Sequence, residues 1–333
     1  MKASSELVRY KTTGVLVLIL IYFHIPAILV LMGILFYESS ANWLFLPRFY
    51  LLNPVYVSCY FVLEGISSDF KQPLSRQLHK DFLLIILPCL VWGFIAEIIK
   101  NGYFCLEVFT DYVKSFFYYG PADFYILYML FLTRLVYKIL LVINNWKIRL
   151  FVLTLLSVAG LIVNNHSPIK YWEQLFILLP FIELGRIYKD KIKNGKAVWL
   201  FSTFYVLGCV ALASLHQRLP MIHEGMSLSY REWMLYMLMG LAGSICLIEL
   251  CKTIKNSYVE YVGKNYVGYI LIHISAIIVI VRLCHDIVLN AIGSMWQTVA
   301  VIAIIYLLTL IICTGVMLLF NYMMTHIRSV HVE

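Results

Sequence analysis

The sequence predicts an all-α polytopic membrane protein, one domain over residues 1–333 with about ten transmembrane helices and both termini cytoplasmic. Three observations carry that expectation. Hydrophobic residues make up 62% of the 333-residue chain and charged residues 13%, against about 45–50% and about 25% in soluble domains. Mean hydropathy is +0.85, more apolar surface than a single core can bury. The apolar residues also fall in long runs, and ten spans of about 20 residues would use roughly 200 of them. Only short loops and tails are left, so a large soluble domain is excluded.

The spans are expected near residues 13–37, 49–68, 80–99, 122–143, 148–164, 170–188, 197–215, 230–252, 260–284 and 295–323. Each must be helical, because backbone in hydrocarbon has to satisfy its own hydrogen bonds. Residues 103–119 form a weaker segment, expected along the membrane surface or re-entering it. The run from Val15 to Phe36 is too long for the apolar part of a signal peptide, and no small-residue cleavage site follows. No cleavable signal is expected.

Orientation follows from the basic residues. With the N-terminus inside, the inner segments collect Lys2, Arg9 and Lys11, then Lys71, Arg76 and Lys80, then Lys138, Lys147 and Arg149. The later inner segments add Arg186 to Lys196, then Lys252, Lys255 and Lys264, then Arg328. The outer segments hold only Arg48, Lys100, Lys114, Lys170, Arg218, Arg231 and Arg282. This asymmetry is the positive-inside pattern. The net charge of +8 is therefore a topology signal, and no nucleic-acid partner is expected. The eight cysteines form no CxxC pair and read as small apolar residues, with no disulfide framework or zinc site.

An ionisable group at bilayer depth costs at least about 2.5 kcal/mol, which makes it a functional candidate. His24 lies about eleven residues into the first span, roughly 16 Å from its cytoplasmic start. His273 lies about thirteen residues into the ninth span, which also runs outward, so the two imidazoles reach similar depth. The bland alternative for each is a neutral histidine hydrogen-bonded to a neighbouring helix. Arg9 precedes His24 by fifteen residues and shares its face within about 60°, whereas Lys11 faces nearly the other way. A cation below a buried imidazole suits a ligand with phosphates outside and a reactive end inside; alternatively, Arg9 and Lys11 are only membrane anchors.

Among the carboxylates, Glu183 is expected to pair with Arg186 and Glu249 with Lys252, both at i,i+3 spacing. Glu97 lies toward the outer end of span three. Glu64 has no local basic partner and is the more interesting group. Asp123 stands beside Phe124 and Tyr125 at the outer entrance of span four. Aromatic residues crowd the outer side, including Trp43, Trp172, Trp233 and Trp296, as an interfacial belt or as sugar-stacking surfaces.

Several segments together resemble the acyltransferase-3 family of integral-membrane O-acyltransferases. The stretch Gly14 to His24 is similar to the family's first-helix motif, which ends in histidine. Cys59-Tyr-Phe-Val-Leu-Glu-Gly65 resembles its "FFVLSG" segment, and Arg76 to Lys80 followed by Leu87-Pro88 resembles its cytoplasmic loop and third helix. Asp123-Phe-Tyr-Ile-Leu-Tyr128 is similar to the "LWFLxA" entrance, and Tyr261 to His273 to the "YxGKxSLxIYLxH" signature. Three positions depart from the pattern. Thr13 stands where Arg or Lys is usual, with Arg9 one turn below on the same face, and Glu64 and Tyr266 replace serines.

The resemblance implies an acyl-CoA co-substrate, usually acetyl-CoA, and an acceptor hydroxyl on a cell-envelope glycan or lipid-linked sugar. It implies a stand-alone member in the plasma (inner) membrane, with no permanently bound cofactor. The donor's phosphates are then expected at Arg9, Lys11, Arg76 and Lys80, and the acceptor at Glu64, Asp123 and Tyr125. Thioester transfer needs a base for the hydroxyl, worth about 10²–10⁴ in rate. Burial favours the neutral imidazole that a base requires, so His24 is the expected base. His273 is expected to orient the acceptor or polarise the thioester. A second class, a glycan exporter or flippase without catalysis, also fits ten helices with midplane polar groups. A scaffold would leave both histidines unexplained.

Overall fold

The computed structural model describes residues 2–35, 51–68, 70, 72–103, 106–119, 124–164, 172–191, 195–215, 217, 228–292 and 294–330. Among them the chain is helical, with no strand. The helices are α1 (Lys2–Leu31), α2 (Asn53–Ser67), α3 (Leu74–Asn101), α4 (Leu106–Tyr119), α5 (Tyr125–Leu140), α6 (Trp146–Asn164) and α7 (Trp172–Lys191). They continue as α8 (Gly195–Ser214), α9 (Tyr230–Lys252), α10 (Ser257–Lys264), α11 (Tyr266–Leu283), α12 (His285–Ala291) and α13 (Met295–Val330). Asp123 lies outside the described residues.

Among the described residues seven helices, α1, α3, α6, α8, α9, α11 and α13, are long and apolar enough to cross a membrane. The chain is a multi-pass membrane protein, and its surface agrees. Trp199, Leu207, Trp296 and Ile311 are each more than 60% exposed, untenable in quantity in water but ordinary against lipid tails. The expected spans 49–68, 122–143 and 170–188 correspond to α2, α5 and α7. The first two are only 15 and 16 residues long, and α7 carries Glu183, Arg186, Lys189 and Lys191. From Asn53 through Ile66, all but Tyr56 on α2 is buried, as expected for a helix surrounded by protein.

Local chemistry sets the helix ends. Gly33, at φ 71°, ends α1 in a left-handed turn, with Ile34 and Leu35 donating to the Leu29 carbonyl. Pro88 cannot donate a backbone hydrogen bond, and the turn just before it, Phe82–Ile86, is widened to i→i+5, Leu87 N–H reaching the Phe82 carbonyl. Arg282 of α11 donates to the Ile99 and Lys100 carbonyls, satisfying the C-terminus of α3 from outside. The sequence-predicted span 260–284 is broken at Asn265, which leaves helical geometry (φ −105°, ψ 22°) and turns its side-chain amide on the Tyr261 carbonyl at 2.9 Å. Asn256 caps the resulting short α10.

Two crossings bring backbones together. α1 meets α10 at Gly14 and Gly263, and α2 meets α7 at Gly65 and Gly185. A methyl on Gly14 would overlap the Val259 carbonyl, and one on Gly263 the Tyr10 carbonyl. Such small-residue contacts are how helices associate where lipid removes the hydrophobic driving force. They fix α1 and α2, the helices that carry His24 and Glu64.

Candidate functional site

His24 and His273 project from α1 and α11, which pack against each other. Their position is set by apolar layers on both sides. Ile21 and Ile272 belong to one apolar cluster, while Ile25 and Ile274 belong to a second, formed mainly by α1, α11 and α13. The imidazoles occupy the boundary between these layers. His273 is fully buried and His24 partly so.

The rings lie 21° from parallel, with His24 Nδ1 2.7 Å from His273 Nε2. On the far side, His273 Nδ1 is 3.0 Å from the Tyr269 carbonyl, one turn earlier on α11. A carbonyl only accepts, so His273 Nδ1 carries the proton. In the neutral pair His273 Nε2 is then an acceptor, and His24 Nδ1–H donates to it. His24 is thereby fixed as the tautomer with its lone pair on Nε2, the nitrogen that can take up a proton. A carbonyl–imidazole–imidazole relay orients a base as a carboxylate does in a hydrolase triad, but without a buried negative charge. The Tyr269 hydroxyl contacts Thr314 Oγ1 at 2.7 Å, which in turn contacts Tyr258 at 3.1 Å, tying α10, α11 and α13 together.

A second polar group lies at the C-terminal end of α2. Glu64 Oε2 accepts from Arg134 Nη2 at 2.7 Å and lies 3.9 Å from Arg9. Arg134 Nη1 also donates to Asp81 at 2.9 Å. Four side chains from α1, α2, α3 and α5 thus form one network, which answers the missing local partner of Glu64. A charge buried alone is prohibitive, and one shared among neighbours is not. Lys80, exposed next to Asp81, lies within electrostatic reach of Glu64, and Arg76 is exposed one turn earlier.

Arg9 and Lys11 diverge as their spacing requires. Arg9 faces Glu64, whereas buried Lys11 faces Glu260 of α10 at 3.7 Å. Tyr125 is half-buried at the start of α5. The structure therefore brings together His24 with His273, and Arg9 with Glu64, but not Lys11 with Arg9.

The expected Glu183–Arg186 pair is replaced. Glu183 takes Arg149 through two hydrogen bonds, Nε to Oε2 at 2.7 Å and Nη2 to Oε1 at 2.8 Å, and also accepts from Tyr137. Arg186 donates to the Tyr137 hydroxyl at 3.0 Å instead. The planar fork of Arg149 matches a carboxylate better than a neighbour on the same helix can. Glu249 does pair with Lys252, as the spacing suggests.

Sequence reasoning missed Arg134, Asp81 and the Tyr269 carbonyl. Arg134 was detectable by the same rule that singles out Glu64, a charge inside an apolar run. The carbonyl had no sequence signal. Among the described residues, no group of three or more His, Cys, Asp and Glu could hold a metal ion.

Fold and site together define a multi-pass helical membrane protein with a paired-histidine centre in its interior. No protein-family model, curated protein or solved structure matches this chain.

Proposed function

We propose that this protein is a membrane O-acyltransferase, which moves an acyl group, acetyl in the simplest case, from cytoplasmic acyl-CoA to a glycan hydroxyl. One observation carries the reading: His24, held by His273 at 2.7 Å, presents Nε2 as a neutral base inside a membrane protein. Ten spans, both termini cytoplasmic and a place in the plasma (inner) membrane complete the proposal, supported by the basic residues gathered on one side.

In the proposed reaction the acceptor oxygen attacks the thioester carbonyl carbon while its proton passes to His24 Nε2. The carbon–sulfur bond breaks, and the departing thiolate leaves as free CoA after taking that proton from the imidazolium. His273 Nε2 accepts from His24 Nδ1–H throughout and steadies the positive charge. Arg76 and Lys80, both exposed, would meet the donor's phosphates, with Arg9 behind them. Glu64 and Tyr125 would serve the donor arm or the acceptor.

The test is purified protein in liposomes supplied with labelled acetyl-CoA and glycan acceptor. The wild type should consume the donor and label the acceptor, and His24→Ala, accumulating and inserting normally, should do neither. Retained acylation in His24→Ala removes His24 as the base. A wild-type protein that neither binds nor consumes acetyl-CoA points to the exporter alternative. Mass spectrometry of surface glycans from cells with and without the gene would then name the acyl group and acceptor.

A further inference from the structure

Arg149 and Arg186 stand near one carboxylate, and Arg149 holds it. Its Nε–Nη2 edge closes on both oxygens of Glu183, at 2.7 and 2.8 Å. Arg186, three residues along α7, is left with a neutral partner: its Nη1 donates to the Tyr137 hydroxyl at 3.0 Å. The Nε–Nη2 edge of Arg186 makes no hydrogen bond among the described residues, and neither nitrogen is sealed from solvent. Glu249, which Tyr188 reaches from two residues further along α7, is paired with Lys252.

Lys138, the residue after Tyr137, repeats the pattern. It donates to the Phe70 carbonyl, the Phe70 ring lies 4.9 Å from the Tyr137 ring, and Lys138 forms no ion pair among the described residues. Glu183 therefore answers only one of the three cations gathered around Tyr137, which are Arg149, Arg186 and Lys138. A half-buried guanidinium without a counter-charge is costly. An accessible Nε–Nη2 edge has the shape that takes two oxygens of one phosphate.

The surroundings point to the source of that phosphate. Ile139 and Val142, beside Lys138 at the end of α5, are 56% and 84% exposed, and Ile148 and Phe151 at the start of α6 are exposed too. Charge thus begins where lipid-facing apolar side chains stop, which is the depth of phospholipid headgroups. Beyond Arg186 the sequence adds Lys189, Lys191, Lys193 and Lys196 against Asp190 alone, and Lys189 is exposed. A zwitterionic headgroup would bring its own ammonium to these cations, whereas an anionic one would not. We infer that Arg186 anchors a binding site for an anionic phospholipid, whose phosphate takes the open guanidinium edge with Lys138 and Lys189 beside it. The site does not depend on acyl transfer.

The experiment titrates phosphatidylglycerol or phosphatidylcholine into full-length protein in detergent and counts retained lipid by native mass spectrometry. The wild type should hold phosphatidylglycerol about tenfold more tightly than phosphatidylcholine. Arg186→Gln should weaken phosphatidylglycerol about fivefold, as expected for one cation at the headgroups, and leave phosphatidylcholine unchanged. Lys189→Gln, an exposed change, should weaken it about threefold even if Arg186→Gln fails to accumulate. Lys264→Gln removes an equal charge from α10, where the ammonium lies over the Tyr10 ring, and should have no effect. Equal losses in all three variants would show diffuse attraction only and overturn the site, as would a wild type with no preference between the lipids. Displacement of phosphatidylglycerol by millimolar inorganic phosphate would reassign the edge to a soluble anion, and displacement by CoA would reassign it to the acyl donor; either result overturns the lipid.

Discussion

His24 Nδ1 and His273 Nε2 meet at 2.7 Å although 249 residues separate them in sequence. The contact makes the two rings one unit, with the Tyr269 carbonyl fixing the far end at 3.0 Å. Residues that act as a unit are not additive when removed. His273→Ala should lower kcat about 10²-fold, within the usual worth of a well-placed base, and leave KM for the acyl donor unchanged. The double variant His24→Ala/His273→Ala should be no slower than His24→Ala alone. Steady-state kinetics in liposomes check both, and independent, multiplying losses would break the unit.

Tyr269 separates main chain from side chain. Its carbonyl holds His273, while its hydroxyl contacts Thr314 at 2.7 Å. Tyr269→Phe removes only the hydroxyl. Activity should stay within twofold of wild type, while stability falls by about 1 kcal/mol for the lost hydrogen bond. Kinetics and thermal unfolding of the same preparation read the two effects apart.

The glycine crossings predict a contrast in stability. Gly263→Ala would press a methyl onto the Tyr10 carbonyl, whereas Gly315 on α13 has nothing within 4 Å of a built Cβ. Gly263→Ala should destabilise by about 1–3 kcal/mol. Gly315→Ala should be neutral or stabilising by up to about 1 kcal/mol, since alanine suits a helix interior better. Thermal midpoints in detergent decide it.

Among the ion pairs, burial sets the cost. Glu183→Ala leaves Arg149 and the Tyr137 hydroxyl without their buried acceptor, and about 3–5 kcal/mol should be lost. Lys252→Ala removes one exposed end of the Glu249 pair, its side chain 44% accessible, and should change little. Denaturant titration of both variants gives the comparison.

Arg76 and Lys80 are exposed cations on one helical stretch. If they meet phosphates, Arg76→Gln/Lys80→Gln should raise KM for acyl-CoA about tenfold with little change in kcat. The difference from wild type should narrow at high salt, because exposed charges are screened. A KM that ignores both the substitutions and the salt removes these two side chains from donor binding.

The sequence revealed the helical class because lipid leaves a chain with hydrophobic runs no other choice. It also revealed the two histidines, since an imidazole inside an apolar run stands out against its neighbours. Its helical spacing told Arg9 from Lys11, and the structure sends them to Glu64 and Glu260. What stayed hidden depends on which helices touch. The Arg149–Glu183 fork joins residues 34 apart and the Arg134–Glu64 pair residues 70 apart, and local spacing favoured the wrong partner for Glu183. The break at Asn265 escaped notice because its apolar flanks read as one continuous run.

The seam between α1 and α10 has a consequence for access. With Gly14 and Gly263 letting main chain press on main chain, and the Lys11–Glu260 clasp beside them, no guest molecule can thread between these two helices. A group approaching the imidazoles along α1 therefore has to use another flank of that helix. One such flank carries Arg9 with Glu64 and Arg134, so charge rather than close backbone packing marks that side of the helix.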